Sequence, residues 1–155
     1  MPKELKTTVT AFIFHDNKLL FVKHKKLGLW LHVGGHVENN ETLDEALERE
    51  IKEEVNLKVS FIENYHYQKA SPKHGFKELP RPFYIHKRDS GSHRKMSFDF
   101  VCIAKDIRGL KILASELEGY KWMSEEQVKK SKELWKPIKL LALKAFEIYN
   151  SVEIN

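Results

Sequence analysis

One charged segment limits the fold and chemistry of this chain more than any other. Residues 42–56, TLDEALEREIKEEVN, have apolar residues at helical spacing, and three glutamates fall within the last seven positions. At about 100° per residue, Glu50, Glu53 and Glu54 lie on the same side of such a helix as Leu47. The sequence therefore predicts a helix whose inward side ends in three carboxylates.

Three like charges within one helical turn repel each other, and partial burial makes the repulsion worse. A divalent cation would remove this conflict, because hard ions such as Mg²⁺ and Mn²⁺ take carboxylate oxygens as ligands. The alternative is an acidic helix flank at a solvated edge of the domain. Glu45, Glu48 and Lys52 fall on the opposite side of the helix, where solvated charges are expected.

Strand-like segments precede and follow this helix. We predict a hairpin over TTVTAFIFHDNKLLFVKH that turns at Asp16 and Asn17, a short strand GLWLHV before a glycine pair, and Thr42 as N-cap with Glu45 at capping-box spacing. Further strands are predicted in KVSFIENYHYQKA, PFYIHKR, MSFDFVCIAKD and GYKWM, and further helices after Ser124 and near Pro137. This order predicts an α/β fold with a mixed sheet covered by helices.

The length and charge of the chain narrow its class. At 155 residues we expect a single domain, residues 1–155, with no membrane span and a cytoplasmic location. The net charge of +5 is dispersed, which suits an anionic small molecule at least as well as nucleic acid. Cys102 lies in an apolar strand, where a buried, inert thiol is expected.

The spacing around the helix resembles a known family motif. Gly35, Glu41, Arg49 and the three glutamates match the Nudix box G-x5-E-x7-R-E-U-x-E-E-x-G-U, in which U is aliphatic. The approach GLWLHVGGHVE is also similar to that of Nudix hydrolases. Asn56 stands where the family prefers glycine; since asparagine tolerates the left-handed conformation, the turn should survive, and Asn56→Gly should modestly stabilise the fold.

The resemblance implies an α/β/α sandwich and Mg²⁺-dependent hydrolysis of a nucleoside diphosphate linked to another group, with Mn²⁺ as a substitute. It implies metal ligation by Glu50, Glu53, Glu54 and the backbone carbonyl of Gly35. Arg49 would orient the glutamates, and Glu41 would support the loop or help to hold metal through water. Glu54 is the first choice for general base and Glu53 the second.

Residues outside the box are weaker candidates. Glu116 resembles a further metal-binding glutamate of the family and fits its spacing before a tryptophan better than Glu118, although a surface acid explains it equally well. Trp30 and Phe83, and less clearly Tyr65 and Phe76, could stack on a base, while core packing remains the alternative. Four cationic side chains could contact phosphates, and the alternative for each is a solvated surface charge: Lys23, Arg81, Lys87 and Arg88.

The expected binding partner is a small nucleotide-type substrate. We expect no binding to membranes or DNA, and the sequence leaves open whether the protein forms a homodimer. No histidine pair has zinc-motif spacing, so no histidine is assigned to metal. The loop SPKHGFKELPRP is the expected source of specificity. Two alternative functions stay open: a Nudix domain that senses nucleotides without hydrolysing them, and an RNA 5′-end hydrolase, which no concentrated basic stripe supports.

Overall fold

The computed structural model describes residues 3–62 and 75–152, which form a mixed β-sheet with helices on both faces. Within these residues the strands are β1 Leu5–His15, β2 Lys18–His24, β3 Trp30–Leu31, β4 Val33–His36, β5 Ser60–Phe61, β6 Tyr84–Ser90, β7 His93–Ile103 and β8 Leu117–Met123. The helices are α1 Leu43–Val55, α2 Glu125–Lys130 and α3 Lys136–Ser151.

β1 is the centre of the sheet. It pairs in parallel with β7, and antiparallel with β2 along the predicted hairpin and with β4. The hairpin turns at Asp16 and Asn17, with φ of 49° and 60°, the left-handed conformations that a tight two-residue turn requires. The β1–β4 pairing opposes Val9 to Gly35, which brings the segment before α1 to the middle of the sheet.

Alternation along β1 produces two apolar layers. Val9, Ala11 and Ile13 pack with the inward residues of α1, and Phe12 and Phe14 pack with α3 on the opposite face. Helices therefore cover both sides of the sheet, and the predicted α/β/α architecture is confirmed. No helix among the described residues is long and apolar enough to cross a membrane.

The helix ends follow the predictions only in part. Ser124 forms a complete capping box with Gln127, and Pro137 lies in the first turn of α3. Thr42 is the N-cap of α1, but the predicted capping box is wrong, because its hydroxyl donates to the carboxylates of Asp44 and Glu45 at 2.7 Å each. The hydroxyl therefore bonds to side chains of the first turn and makes no capping bond with the backbone.

Two predicted strands differ from the structure. The glycine pair was expected to follow a strand, yet Gly34 and Gly35 lie inside β4 because they pair with β1. Of KVSFIENYHYQKA, only Ser60–Phe61 is a strand within the described part, and residues 63–70 lie outside it, as do residues 71–74 of the loop SPKHGFKELPRP. Cys102 is fully buried, as expected, and burial raises the pKa of its thiol.

Candidate active site at the acidic edge of helix α1

The three glutamates of α1 are graded in exposure from the core to solvent. Glu54 is buried, with 4% of its surface exposed, while the side chains of Glu50 and Glu53 are 15% and 55% exposed. Leu47 and Ile51 on the same side are fully buried, whereas Glu45, Glu48 and Lys52 are exposed. The helical phase read from the sequence is thus correct for Glu50 and Glu54, and Glu53 lies at the solvent edge.

Arg49 connects α1 to the loop that precedes it. Its Nε and Nη2 donate to the two carboxylate oxygens of Glu41 at 2.7 and 2.9 Å, a bidentate pair. Nη2 also donates to the carbonyl of His36 at 3.0 Å, and Nη1 donates to Glu50 at 2.9 Å and to Glu53 at 3.5 Å. One guanidinium therefore fixes the positions of three carboxylates and of the end of β4.

The ion pairs act on the pKa values of both partners. The bonds with Glu41 and Glu50 raise the pKa of Arg49, and Arg49 together with the Glu38 amide lowers the pKa of Glu41. Burial raises the pKa of Glu50, although Arg49 acts in the opposite direction. Glu41 is therefore firmly ionised, whereas Glu50 is held in an environment that disfavours its charge.

Glu54 is the most perturbed group of the cluster. Burial, followed by the charges of Glu50 and Glu116, raises its pKa to about 8, and the Gly34 backbone only partly opposes this shift. Its Oε2 atom is buried and has no hydrogen-bond partner among the described residues. A buried, unpaired carboxylate oxygen is costly unless a proton or a cation neutralises it.

Gly35 leaves room for this arrangement. A Cβ atom at residue 35 would overlap the carboxylate of Glu50, and one at residue 34 would overlap the carbonyl oxygen of Val9. The missing side chains let β4 lie against both β1 and the acidic edge of α1. The glycine pair is thus explained by close approach, and the Gly35 backbone lies directly beside a carboxylate.

The end of α1 is held by the loop that follows β7. The amides of Lys111 and Leu113 donate to the carbonyls of Val55 and Glu54 at 3.0 and 2.9 Å, which satisfies two helix-end acceptors. Asn56 is the C-cap at φ 55° and ψ 43°, the predicted left-handed conformation. Its side chain also donates to Gly109 O at 2.9 Å and accepts from Lys52 at 2.6 Å, contacts that glycine could not make.

The same loop brings Glu116 to the cluster. Glu116 is exposed in the turn before β8, and its charge contributes to the raised pKa values of Glu50 and Glu54. Glu118 instead pairs with Lys23 at 3.3 Å. The structure therefore brings Glu116, and not Glu118, near the carboxylates of α1; a role for Glu116 in metal binding stays a prediction.

The chemistry of these residues fits a hard divalent cation. The cluster offers carboxylate oxygens, among them the unpaired oxygen of Glu54. Within residues 3–62 and 75–152, no three His, Cys, Asp or Glu side chains are arranged as a ready metal site. Arg49 bonds oxygens of Glu50 and Glu53 in this arrangement, so those carboxylates face the guanidinium.

Lys23, Trp30 and Phe83, three of the candidate substrate residues, contact residues outside α1. Lys23 and Lys121 lie over the ring of Trp30, with their Nζ atoms 5.8 and 4.1 Å from its centroid, and Trp30 Nε1 donates to Glu133. Phe83 packs edge-on against Phe12 on the α3 side of the sheet. Among the other candidates, Arg81 lies before β6 in the chain. Three more are exposed: Phe76, Lys87 and Arg88. Tyr65 lies outside the described residues.

Two polar residues that the sequence reading did not select lie on the α3 side of the sheet. Asp99 is fully buried in β7, and its carboxylate is 3.1 Å from Nδ1 of His86 in β6. Burial raises the pKa of Asp99 to about 6. The aspartate within the apolar strand MSFDFVCIA was a sequence signal for a buried polar pair, because an aspartate is almost never fully buried unless it has a partner.

Comparisons with known proteins agree with the architecture and the box. The sequence-family model of the NUDIX domain matches residues 4–143 of this chain. A crystal structure of a hydrolase of the NUDIX family from Clostridium perfringens superposes with a TM-score of 0.77 at 28% identity, over 92% of this chain and 97% of the other. A MutT protein from Methanosarcina mazei Go1 has the same fold, with a TM-score of 0.70 at 17% identity over 98% and 99% of the two chains.

One curated relative matches over a shorter region. It is an 8-oxo-dGTP diphosphatase from Buchnera aphidicola subsp. Schizaphis graminum (strain Sg), 42% identical over 55 residues. The match covers 33% of this chain and 42% of the relative's length. The domain model covers most of the chain, and the box that it contains has the geometry described above. The chain therefore belongs to the Nudix hydrolase family.

Proposed function

We propose that this chain is a Mg²⁺-dependent pyrophosphohydrolase that cleaves a nucleoside diphosphate linked to another group. The observation that carries the proposal is the buried, unpaired Oε2 of Glu54 beside Glu50 and Glu116. Such a cluster has a strong electrostatic reason to bind a cation, which would supply contacts for the diphosphate oxygens of a substrate. The whole chain, residues 1–155, acts as a single domain in this proposal.

Each residue has a distinct part in the reaction. Glu50, Glu53, Glu54, Glu116 and the Gly35 carbonyl would hold Mg²⁺, or Mn²⁺ in its place. A bound Mg²⁺ would neutralise diphosphate oxygens and lower the pKa of a water molecule. Arg49 orients Glu50 and Glu53 through the bonds that it makes with both.

Glu54 is the proposed general base. Water adds to one phosphorus atom, the bond from that phosphorus to the bridging oxygen breaks, and the proton of the water passes to Glu54. Glu54 is preferred over Glu53 because its carboxylate is buried among the other acids and has an unpaired oxygen, whereas the side chain of Glu53 is 55% exposed. Glu53 stays the second choice.

The relatives suggest which substrates to test first. The curated relative acts on 8-oxo-dGTP, so nucleoside triphosphates lead the panel, followed by nucleotide sugars and dinucleotides. The 55 matched residues are too few to transfer that substrate. An intact set of box carboxylates favours hydrolysis over a nucleotide-sensing role, and the dispersed charge favours small substrates over RNA.

The test is to incubate this panel with the protein in Mg²⁺ and, separately, in a chelator. Hydrolysis is measured as release of nucleoside monophosphate, pyrophosphate or phosphate. Glu53→Gln and Glu54→Gln should each lower turnover by about a hundredfold or more. Glu48→Gln is the matched control, because Glu48 is exposed on the opposite side of α1. Unchanged turnover in Glu53→Gln and Glu54→Gln would refute the site, and tight binding without turnover by the natural sequence would favour the sensing alternative.

A further inference from the structure

The side of α3 that faces away from the sheet has exposed apolar surface. The helix packs on the sheet through its buried residues: Ala142, Ala145, Phe146 and Tyr149. On the outer side, Leu140 is 55% exposed and Leu143 is half-buried, and both line a shallow depression together with Pro137. A single exposed leucine needs no explanation, but adjoining apolar side chains on one helix face are typical of an interaction surface.

Two charged residues extend this surface in opposite directions along the helix. At about 100° per residue, Lys136 and Glu147 lie within about 40° of Leu140 around the helix axis. Lys136 is one turn before Leu140 and Glu147 is two turns after it. Both side chains are exposed, and the described residues supply no ion-pair partner for either. We call Lys136, Leu140, Leu143 and Glu147 the α3 stripe.

The other two lysines of α3 interact within the chain. Nζ of Lys139 donates to the carbonyl oxygens of Lys129 and Ser131 at 2.6 and 3.2 Å. Nζ of Lys144 lies 5.5 Å from the centroid of the Tyr84 ring. These ammonium groups already have partners, so the two lysines add mainly their aliphatic stems to the outer surface.

The order of residues in the α3 stripe is self-complementary. When two copies of α3 lie antiparallel about a two-fold axis between Leu140 and Leu143, Leu140 of each copy faces Leu143 of the other. Lys136 then faces Glu147 of the other copy, because each lies about 8 Å along the helix from the axis. A two-fold interface uses the same patch on both subunits and therefore requires this kind of self-complementarity.

We propose that the protein forms a homodimer in which the α3 stripes of two copies pack antiparallel. Leu140 and Leu143 form the centre of this interface, and Lys136 forms an ion pair with Glu147 of the other copy at each end. Helices that cross at about 20° from antiparallel, with axes about 8–10 Å apart, are a common packing class. One cation and one anion at opposite ends suit a second copy better than a uniformly charged partner.

The size of the stripe limits the strength of the dimer. The contact is one helix wide, so the total buried area should fall below about 1,200 Å², at the low end of specific interfaces. We therefore expect dissociation at micromolar concentrations. The proposal is independent of the proposed function, because α1 lies on the other face of the sheet and this contact does not cover its acidic edge.

The first experiment is analytical ultracentrifugation of the natural sequence from about 1 μM to about 1 mM. A reversible monomer–dimer equilibrium is expected, and Leu140→Gln should be monomeric over the whole range. Circular dichroism should show an unchanged fold, because Leu140 is more than half exposed. Lys58→Glu is the control for altered charge, since Lys58 is exposed between α1 and β5, and it should dimerise like the natural sequence.

Charge reversal then tests the antiparallel register. Lys136→Glu and Glu147→Lys should each weaken the dimer by about tenfold or more, because two attractive pairs become repulsive. The double substitution should restore the natural affinity. A mixture of the two single variants should form a heterodimer in preference to either homodimer, since every facing pair is then of opposite charge.

Three results would overturn the proposal. A monomer at every concentration would mean that the α3 stripe serves some partner other than a second copy. A dimer that persists unchanged in folded Leu140→Gln would place the interface elsewhere. Single charge reversals without effect, or a double substitution that does not restore the dimer, would contradict the pairing of Lys136 with Glu147.

Discussion

Replacement of Glu54 by glutamine should stabilise the metal-free protein while it abolishes activity. Glu54 has an ordinary pKa of 4.5, raised to about 8 in the fold by burial and by neighbouring carboxylates. Between these two pH values the folded protein holds a proton that the unfolded chain has lost. The free energy of unfolding therefore falls as pH rises from about 4.5 to about 8, and above that range the full penalty remains.

The size of the effect follows from the pKa displacement. Each unit of pKa displacement corresponds to about 1.4 kcal/mol, so the upper limit of the destabilisation caused by the Glu54 charge is about 5 kcal/mol. Water entry and movement of neighbouring side chains reduce such penalties, so we expect about 2 kcal/mol. Glutamine resembles the protonated acid in shape and charge, so Glu54→Gln should be more stable than the natural sequence by this amount at pH 8.5 and nearly equal to it at pH 4.5.

The assay is urea unfolding in a chelator at pH 4.5 and pH 8.5. Glu48→Gln, on the exposed side of α1, serves as the control and should change the free energy of unfolding by less than about 0.5 kcal/mol at both values. Added Mg²⁺ should raise the melting temperature of the natural sequence but not that of Glu54→Gln. Equal stability of the two proteins at pH 8.5 would refute the assignment of the buried charge to Glu54.

Three further substitutions test the supports of the site. Arg49→Lys cannot reproduce the bidentate pair with Glu41 and should lower Mg²⁺ affinity or turnover, measured by titration and kinetics, by about 10- to 100-fold. Gly35→Ala should displace the carboxylate of Glu50 and abolish hydrolysis, while circular dichroism shows whether the fold is retained. Asn56→Gly relieves the left-handed backbone but loses the bond to Gly109, so urea unfolding should show a change within about 1 kcal/mol, smaller than the cap alone would give, with activity intact.

Local patterns in the sequence predicted the helix and its acidic edge well. The phase of α1, its left-handed end at Asn56 and the turn at Asp16 and Asn17 depend on neighbours within a few residues, and all three agree with the structure. The resemblance to the Nudix box also pointed to Gly35 and Arg49, and both lie beside the carboxylate of Glu50. These features could be predicted because helix geometry and turn conformations are set over short stretches of chain.

Features that depend on strand pairing could not be predicted in the same way. Gly34 and Gly35 form a strand only because β4 pairs with β1. The pairing of β6 with β7, in which His86 lies opposite Ser97, brings β6 beside Asp99. Neither pairing can be read from the local pattern, so the sequence did not show that His86 lies beside Asp99. Phe83 depends on the same long-range packing: it was a candidate for base stacking, with core packing as the alternative, and it lies partly buried beside Phe12.

The end of α1 combines two opposite effects on stability. The loop after β7 satisfies the carbonyls of Glu54 and Val55, so the helix end is held firmly, yet the side chain of Glu54 adds an unpaired buried charge at the same position. These backbone bonds hold residue 54 on the buried side of α1, where a proton or a cation would neutralise its carboxylate. Substitutions that stabilise this helix end by removing the charge should therefore reduce activity, whereas those at the exposed Glu48 and Lys52 should not.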